Sequence, residues 1–192
     1  ESILNSEHQV LAVYTQNPKK SNRGQRLNIS PIHQFSKINN IQVRSPILLD
    51  QEETKFIKKM TPDVVVVVAY GKIIPKEILE IKNIKFINIH ASLLPKWRGA
   101  APIQRSLIEM DKETGISIMK IVQKLDAGPF LIQERIKIEK NDNYNSLSNK
   151  LANLGSKLIL QSLNLIEKNN YNLTEQNEDL ATYAKKIEKH ES

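Results

Sequence analysis

Val64-Val65-Val66-Val67-Val68-Ala69 is the stretch that most narrows the folds open to this chain. Five β-branched residues in a row lose side-chain freedom in a helix and suit a pleated strand. An unbroken apolar run has no polar face. The strand it predicts is therefore covered on both sides, as in a parallel sheet with helices on each face. Tyr70-Gly71 follow at its carboxyl end, the edge of an open α/β sheet where ligands bind.

The rest of the chain alternates around this run. Residues 1–7 read as the tail of a helix and 9–15 as a buried strand. Ser30-Pro31 open a helix to about Ile38, with Ser30 as N-cap and Pro31 at the first position. Residues 41–44 read as a short strand, 50–60 as a charged surface helix, 75–81 as a helix and 86–90 as a strand. A helix over 99–110 follows. Residues 114–122 and 128–138 then form an antiparallel strand pair joined by the loop 123–127. Asn145-Ser146 begin a long helix with Leu147, Leu151, Leu154, Leu158 and Leu165 on one apolar face. Such alternation predicts an α/β fold, a doubly wound and mostly parallel sheet with an antiparallel strand pair near the end.

The chain has 192 residues, enough for one domain with a real core. It has no cysteine, which excludes a disulfide framework or thiolate metal site and fits a reducing compartment. No segment approaches the roughly 18 apolar residues of a membrane helix. There is no glycine-rich phosphate loop and no His or carboxylate cluster with metal spacing. The formal charge is +7. That balance suits a polyanion such as RNA, but charge alone reads more simply as a lysine-rich surface with no partner.

Chemistry concentrates at 86–105. On the strand 86–90, Asn88 and His90 are two apart and share a face, while Ile87 and Ile89 point to a core. An Asn carboxamide can donate to an oxygen that is gaining charge, and a His can donate, accept or carry a proton near neutral pH. The pair suits acyl chemistry through an oxyanion. It also reads as a strand end whose imidazole is satisfied by backbone groups. Asp126, before Ala127-Gly128, reads on spacing alone as a turn former. Trp97 reads either as a stacking surface for a base or sugar or as a packed aromatic that fixes its loop. Residues 17–30 form a polar, basic loop, long enough to be functional or simply solvated.

The stretch Asn88-Ile89-His90-Ala91-Ser92-Leu93-Leu94-Pro95-Lys96-Trp97-Arg98-Gly99-Ala100-Ala101-Pro102-Ile103-Gln104-Arg105, with Leu125-Asp126-Ala127-Gly128-Pro129 later, resembles the signature of the methionyl-tRNA formyltransferases within the wider formyltransferase family. The likeness runs from about Val10 to Ile187. It implies a Rossmann-like catalytic domain over 1–187, with 188–192 as the start of a linker. The family's first strand, and a small β-barrel domain beyond Ser192, are expected in the full-length enzyme.

The resemblance also implies an activity and a set of roles. Formyl would pass from 10-formyltetrahydrofolate to the amino group of initiator methionyl-tRNA, in the cytoplasm, without a metal, in a protein expected to be monomeric. Asn88 and His90 would hold the oxyanion. Asp126 would orient His90, favour its charged form and help remove the amine proton. Ser92, Leu93, Leu94, Pro95, Tyr70 and Gly71 would line the folate site. Arg23, Lys19, Lys20, Arg26 and Arg98 would contact tRNA. The family has Gly-Arg-Gly where this chain has Asn22-Arg23-Gly24, a change that Asn tolerates because it accepts left-handed backbone. Sister enzymes acting on glycinamide ribonucleotide or a nucleotide sugar, and a non-catalytic RNA-binding fragment, are the competing readings.

Overall fold

Ser30 Oγ accepts the His33 amide at 3.2 Å and Pro31 fills the first turn, so the helix read from the sequence forms where it was expected. The structure, a computed structural model, describes residues 1–21 and 26–191. Two compact units emerge from its chain path: Ile3–Asp63 with Tyr70–Ile84, and Val64–Ala69 with the chain from Lys85 onward.

In the first unit the start of the chain is a pair of turns rather than a helix tail. Asn5 N donates to Glu1 O at 3.0 Å and Ser6 N to Ile3 O at 3.1 Å. The Ser6 hydroxyl takes the same Ile3 carbonyl at 2.6 Å. A serine hydroxyl that competes for a backbone acceptor ends the run there instead of letting a helix continue. The expected strand shortens to β1 (Val13–Tyr14). The polar stretch after it contains β2 (Lys19–Ser21) and β3 (Arg26–Asn28), paired antiparallel with Lys20 opposite Leu27. Next come α1 (Pro31–Ile38) and β4 (Val43–Arg44), which pairs in parallel with β1.

Asp50 caps α2 (Gln51–Met60) by accepting the Glu52 and Glu53 amides at 2.9 and 3.2 Å. Glu53, which is buried, takes the Tyr14 hydroxyl at 2.7 Å and Arg44 Nε at 2.6 Å, tying α2 to both strands. Burial pushes the Glu53 carboxyl up, but the bonds from Arg44 and Tyr14 outweigh it and leave it below its usual value. α3 (Lys76–Leu79) is shorter than the 75–81 expected.

The second unit is built on a four-stranded sheet. β5 (Val64–Val67) pairs in parallel with β6 (Lys85–His90), with Val67 opposite Asn88. β7 (Arg98–Gly99) and α4 (Pro102–Ile108) follow. Then β8 (Glu113–Lys120) and β9 (Phe130–Lys137) give the antiparallel pair that was expected, β8 lying against β6. α5 (Tyr144–Glu167) covers the sheet, and β10 (Tyr183–Ala184) returns to pair in parallel with β7. Parallel pairs β1–β4 and β5–β6, crossed by helices and followed by an antiparallel pair, make the α/β architecture read from the sequence.

Two expectations in this unit need correction. The valine strand is half-buried at all of its positions, and Val68 beyond it is 58% exposed, because β5 ends the strand order of its sheet. The helix expected over 99–110 starts only at Pro102. Proline drives the residue before it out of helical backbone, and Ala101 sits at φ −135°, ψ 49°. That leaves Arg98 and Gly99 free to form β7.

The core lies between the sheet and α5. Leu147, Leu151, Leu154 and Leu158 are buried as the leucine spacing predicts, joined by Ile159, Leu163 and Ile166. Leu165 is only half-buried. Gly155 lets the helix approach β6 closely: a Cβ there would lie 3.1 Å from Ile89 Cγ2.

Candidate active site

β6 alternates as the sequence requires. Ile87 is buried, Ile89 meets α5, and Asn88 and His90 leave the strand on the opposite face. His90 is 5% exposed. Asp126 approaches from the β8–β9 loop, at φ +45°, a left-handed backbone that Asp tolerates better than most residues. Its Oδ1 lies 3.4 Å from Asn88 Nδ2, and its Oδ2 lies 3.7 Å from His90 Nδ1. Oδ2 also accepts the Gly99 amide at 2.9 Å. One carboxylate thus gathers both strand residues and the backbone of β7.

The other imidazole nitrogen is committed. His90 Nε2 lies 2.8 Å from the Trp97 carbonyl oxygen. A carbonyl only accepts, so Nε2 carries a proton and Nδ1 is the nitrogen on the Asp126 side. The arrangement offers an amide donor, an imidazole with one nitrogen held and one presented, and a carboxylate next to both. That set can stabilise an oxyanion and relay a proton.

The carbonyl of Trp97 is placed by a heavily fastened loop. Ser92 Oγ donates to Lys96 O at 2.5 Å, and Ser117 Oγ donates to Ser92 O at 2.7 Å. Ser117 Oγ also accepts Leu94 N at 3.1 Å, and Gln133 Nε2 donates to Leu94 O at 3.0 Å. Leu93 packs over β8 at Gly115, where a Cβ would come within 2.6 Å of Leu93 Cδ2. Pro95 O accepts the Thr182 amide at 3.2 Å. Ser92 and Leu94 are buried, so the stretch expected to line a folate site spends these side chains on its own framework.

Trp97 sits at φ +61°, strained for a bulky residue. Its Nε1 donates to Asp111 Oδ2 at 2.7 Å and its amide to Thr182 Oγ1 at 2.9 Å. Of the two readings offered by the sequence, these bonds favour the packed aromatic that fixes the loop.

Arg98 is a correction. It was expected to meet tRNA, yet its side chain is 0% exposed. Its Nε and Nη2 donate to Gln176 Oε1 at 3.0 and 2.8 Å, and Nη1 and Nη2 to the Glu178 carboxylate at 3.1 and 2.9 Å. β7 is short and enclosed by β10, so the residue's charge is consumed internally. Arg98, with Lys124 second, holds the Glu178 carboxyl down to about 2.

The remaining site expectations fall elsewhere. Tyr70 and Gly71 belong to the first unit. There Gln16 Nε2 donates to Tyr70 O, and the Tyr70 hydroxyl is buried without a hydrogen-bond partner among the described residues. Lys19, Lys20 and Arg26 lie on β2 and β3. Arg23 lies outside the described residues. Sequence reasoning missed the Gly99 amide and the Trp97 carbonyl, because backbone groups carry no residue-type signal. It also missed Gln176, which stands in a polar stretch without periodicity.

Comparison with known proteins gives the family of the chain. Residues 2–163 match the family described as Formyl transferase. The methionyl-tRNA formyltransferase of Pelagibacter ubique is 51% identical over 193 residues, covering 100% of this chain and 62% of the relative. That of Wolbachia sp. subsp. Drosophila simulans is 51% identical over 188 residues, covering 97% of this chain and 62% of the relative. The chain thus spans about three fifths of these curated relatives. Among solved structures, the N-formyltransferase from Helicobacter canadensis, in complex with folinic acid and dTDP-3-aminofucose, superposes with a TM-score of 0.74. It is 20% identical, over 100% of this chain and 66% of the other, a likeness in fold. An Asn–His strand facing an Asp loop, on a chain matched over residues 2–163, identifies this protein as a member of the formyl transferase family.

Proposed function

We propose that the full-length protein is a cytoplasmic, monomeric enzyme that transfers the formyl group of 10-formyltetrahydrofolate to the amino group of initiator methionyl-tRNA. The observation that carries this reading is the gathering of Asn88 and His90 around the Asp126 carboxylate, in a chain 51% identical to relatives named for that activity.

The neutral amine attacks the formyl carbon, a C–N bond forms, and the carbonyl electrons move to oxygen. Asn88 Nδ2 donates to that oxyanion, joined by His90 through Nδ1 in its protonated form. One such donor is typically worth about 3 kcal/mol of barrier. Asp126, adjacent to both, orients the imidazole and takes the amine proton directly or through water. Collapse of the intermediate expels the folate nitrogen, which receives a proton, leaving formylated methionyl-tRNA and tetrahydrofolate.

In this reading the folate lies along the backbone edge of 92–95 and the Asp126 loop. Arg23, Lys19, Lys20 and Arg26 meet the tRNA, and Arg98 does not. Residues 1–187 serve as the catalytic domain.

The test is formyl transfer by the full-length protein from 10-formyltetrahydrofolate to methionyl-tRNA, with glycinamide ribonucleotide and an amino-sugar nucleotide as parallel acceptors. Transfer to methionyl-tRNA at least about tenfold faster than to either alternative supports the reading. Transfer only to an alternative acceptor moves the protein to a sister activity, and no transfer to any acceptor sinks the enzymatic reading.

A further inference from the structure

We infer that Gln176 is a positioning residue: its carboxamide, aimed by Arg98, clamps the turn that carries Asp126 and so sets the distance of that carboxylate from Asn88 and His90. Gln176 Oε1 accepts from Arg98 Nε and Nη2 at 3.0 and 2.8 Å, and its Nε2 donates to the carbonyls of Asp126 and Gly128 at 2.9 and 2.6 Å. The orientation of the amide is forced, because a guanidinium only donates and a carbonyl only accepts. Glutamate would lack the donors and arginine the acceptor.

Arg98 is itself immobilised, with Glu178 on its other side and a side chain 0% exposed. The Asp126 turn needs such a hold. It closes on a long Ala127 N to Lys124 O bond of 3.3 Å, and Asp126 occupies left-handed backbone. A carboxylate whose neighbours stand at 3.4 and 3.7 Å is sensitive to small shifts of that turn. The clamp is anchored on β7, where Arg98 stands one residue before the Gly99 amide that grips Asp126 Oδ2. Backbone and carboxylate of Asp126 are therefore both referred to the same two-residue strand.

The catalytic consequence rests on the function proposed above, but the positioning itself is measurable without turnover. The Gly99 amide donates to Asp126 Oδ2, whereas the neighbouring Ala100 amide donates to Ala184 O at 2.8 Å. Hydrogen exchange is measured on the full-length protein and on Gln176→Leu and Gln176→Glu. The Glu variant keeps an acceptor for Arg98 but has no donor for the turn. In both variants Gly99 should exchange about tenfold faster or more, with Ala100 unchanged. If Gly99 keeps its protection in both, the inference is wrong. If only the Leu variant loses protection, Gln176 serves merely to satisfy Arg98, and the inference is equally overturned. Should the Leu variant not fold, the Glu variant decides alone.

Turnover gives the second readout. Gln176→Glu should lower kcat about tenfold with KM for both substrates little changed, and should cost less than about twofold more in an Asp126→Asn background. An equal loss in both backgrounds would mean that Gln176 acts independently of Asp126. If the unsubstituted protein transfers formyl to a different acceptor, the same comparison is run with that acceptor. If it transfers none, the proposed function fails while the exchange measurement still decides the role of Gln176.

Discussion

His90 gives its Nε2 proton to the Trp97 carbonyl at 2.8 Å, which leaves Nδ1 as the nitrogen available for chemistry. The side-chain amide of Asn places its nitrogen near the Nδ1 position, whereas that of Gln reaches towards Nε2. His90→Asn should therefore retain about tenfold more formyl transfer than His90→Gln, although both fall well below the parent. Steady-state kinetics on the two variants checks this, and the reverse order would assign the chemistry to Nε2.

Truncation tests the oxyanion set more bluntly. Asn88→Ala and His90→Ala should each lower kcat by about a hundredfold or more, with the fold retained. Asn88 is half-buried on a strand whose packing rests on Phe86 and Ile87, so the thermal midpoint should move little. Near-normal turnover in either folded variant would remove that residue from the site.

Much of this was legible in the sequence, and the reasons are physical. Caps and periodicity are local, so Ser30 and Pro31 announce their helix, and the period-two pattern of 86–90 places Asn88 and His90 on one face. What escaped depends on contacts distant in sequence. Arg98 has the residue type of a surface cation, and only the return of β10 and the arrival of Gln176 and Glu178 bury it. The valine run correctly gave a strand, but its coverage depends on which strand ends the sheet, which composition does not encode.

Glycines near the site carry a stability prediction. A Cβ on Gly128 would stand 1.9 Å from Lys120 O, a backbone atom that cannot yield without breaking the start of the β8–β9 pairing. Gly128→Ala should cost more than about 3 kcal/mol in urea unfolding. Gly155→Ala meets only side chains, Ile89 Cγ2 at 3.1 Å and Ile116 at 3.8 and 3.9 Å, and should cost about 1 kcal/mol. Equal losses would mean that the β8–β9 loop can re-form around a side chain.

Acid should loosen the Arg98 cluster in a defined window. The Glu178 carboxyl is held near 2 against an ordinary value of 4.5, by Arg98 first and then by Lys124. A carboxylate lowered on folding stabilises the protein fully above its unfolded value and loses that contribution as pH falls through the folded one. Stability should therefore decline between about pH 4.5 and 2, and Glu178→Gln should flatten that part of the profile. Urea midpoints measured from pH 7 to 2.5 decide it; an unchanged slope would show that Glu178 contributes little.

Salt dependence separates the two arginines that the sequence offered to tRNA. A cation that meets a phosphate releases counterions, and each such contact contributes about 0.7 to 0.9 to the slope of log K against log salt. Arg23→Ala should lower that slope by about one contact and weaken tRNA binding with little effect on the folate donor. Arg98 has its charge consumed by Glu178 and Gln176, so Arg98→Gln should leave the slope unchanged while lowering thermal stability. Filter binding of methionyl-tRNA across a salt series tests both. A reduced slope for Arg98→Gln with the fold intact would return this residue to the nucleic-acid surface.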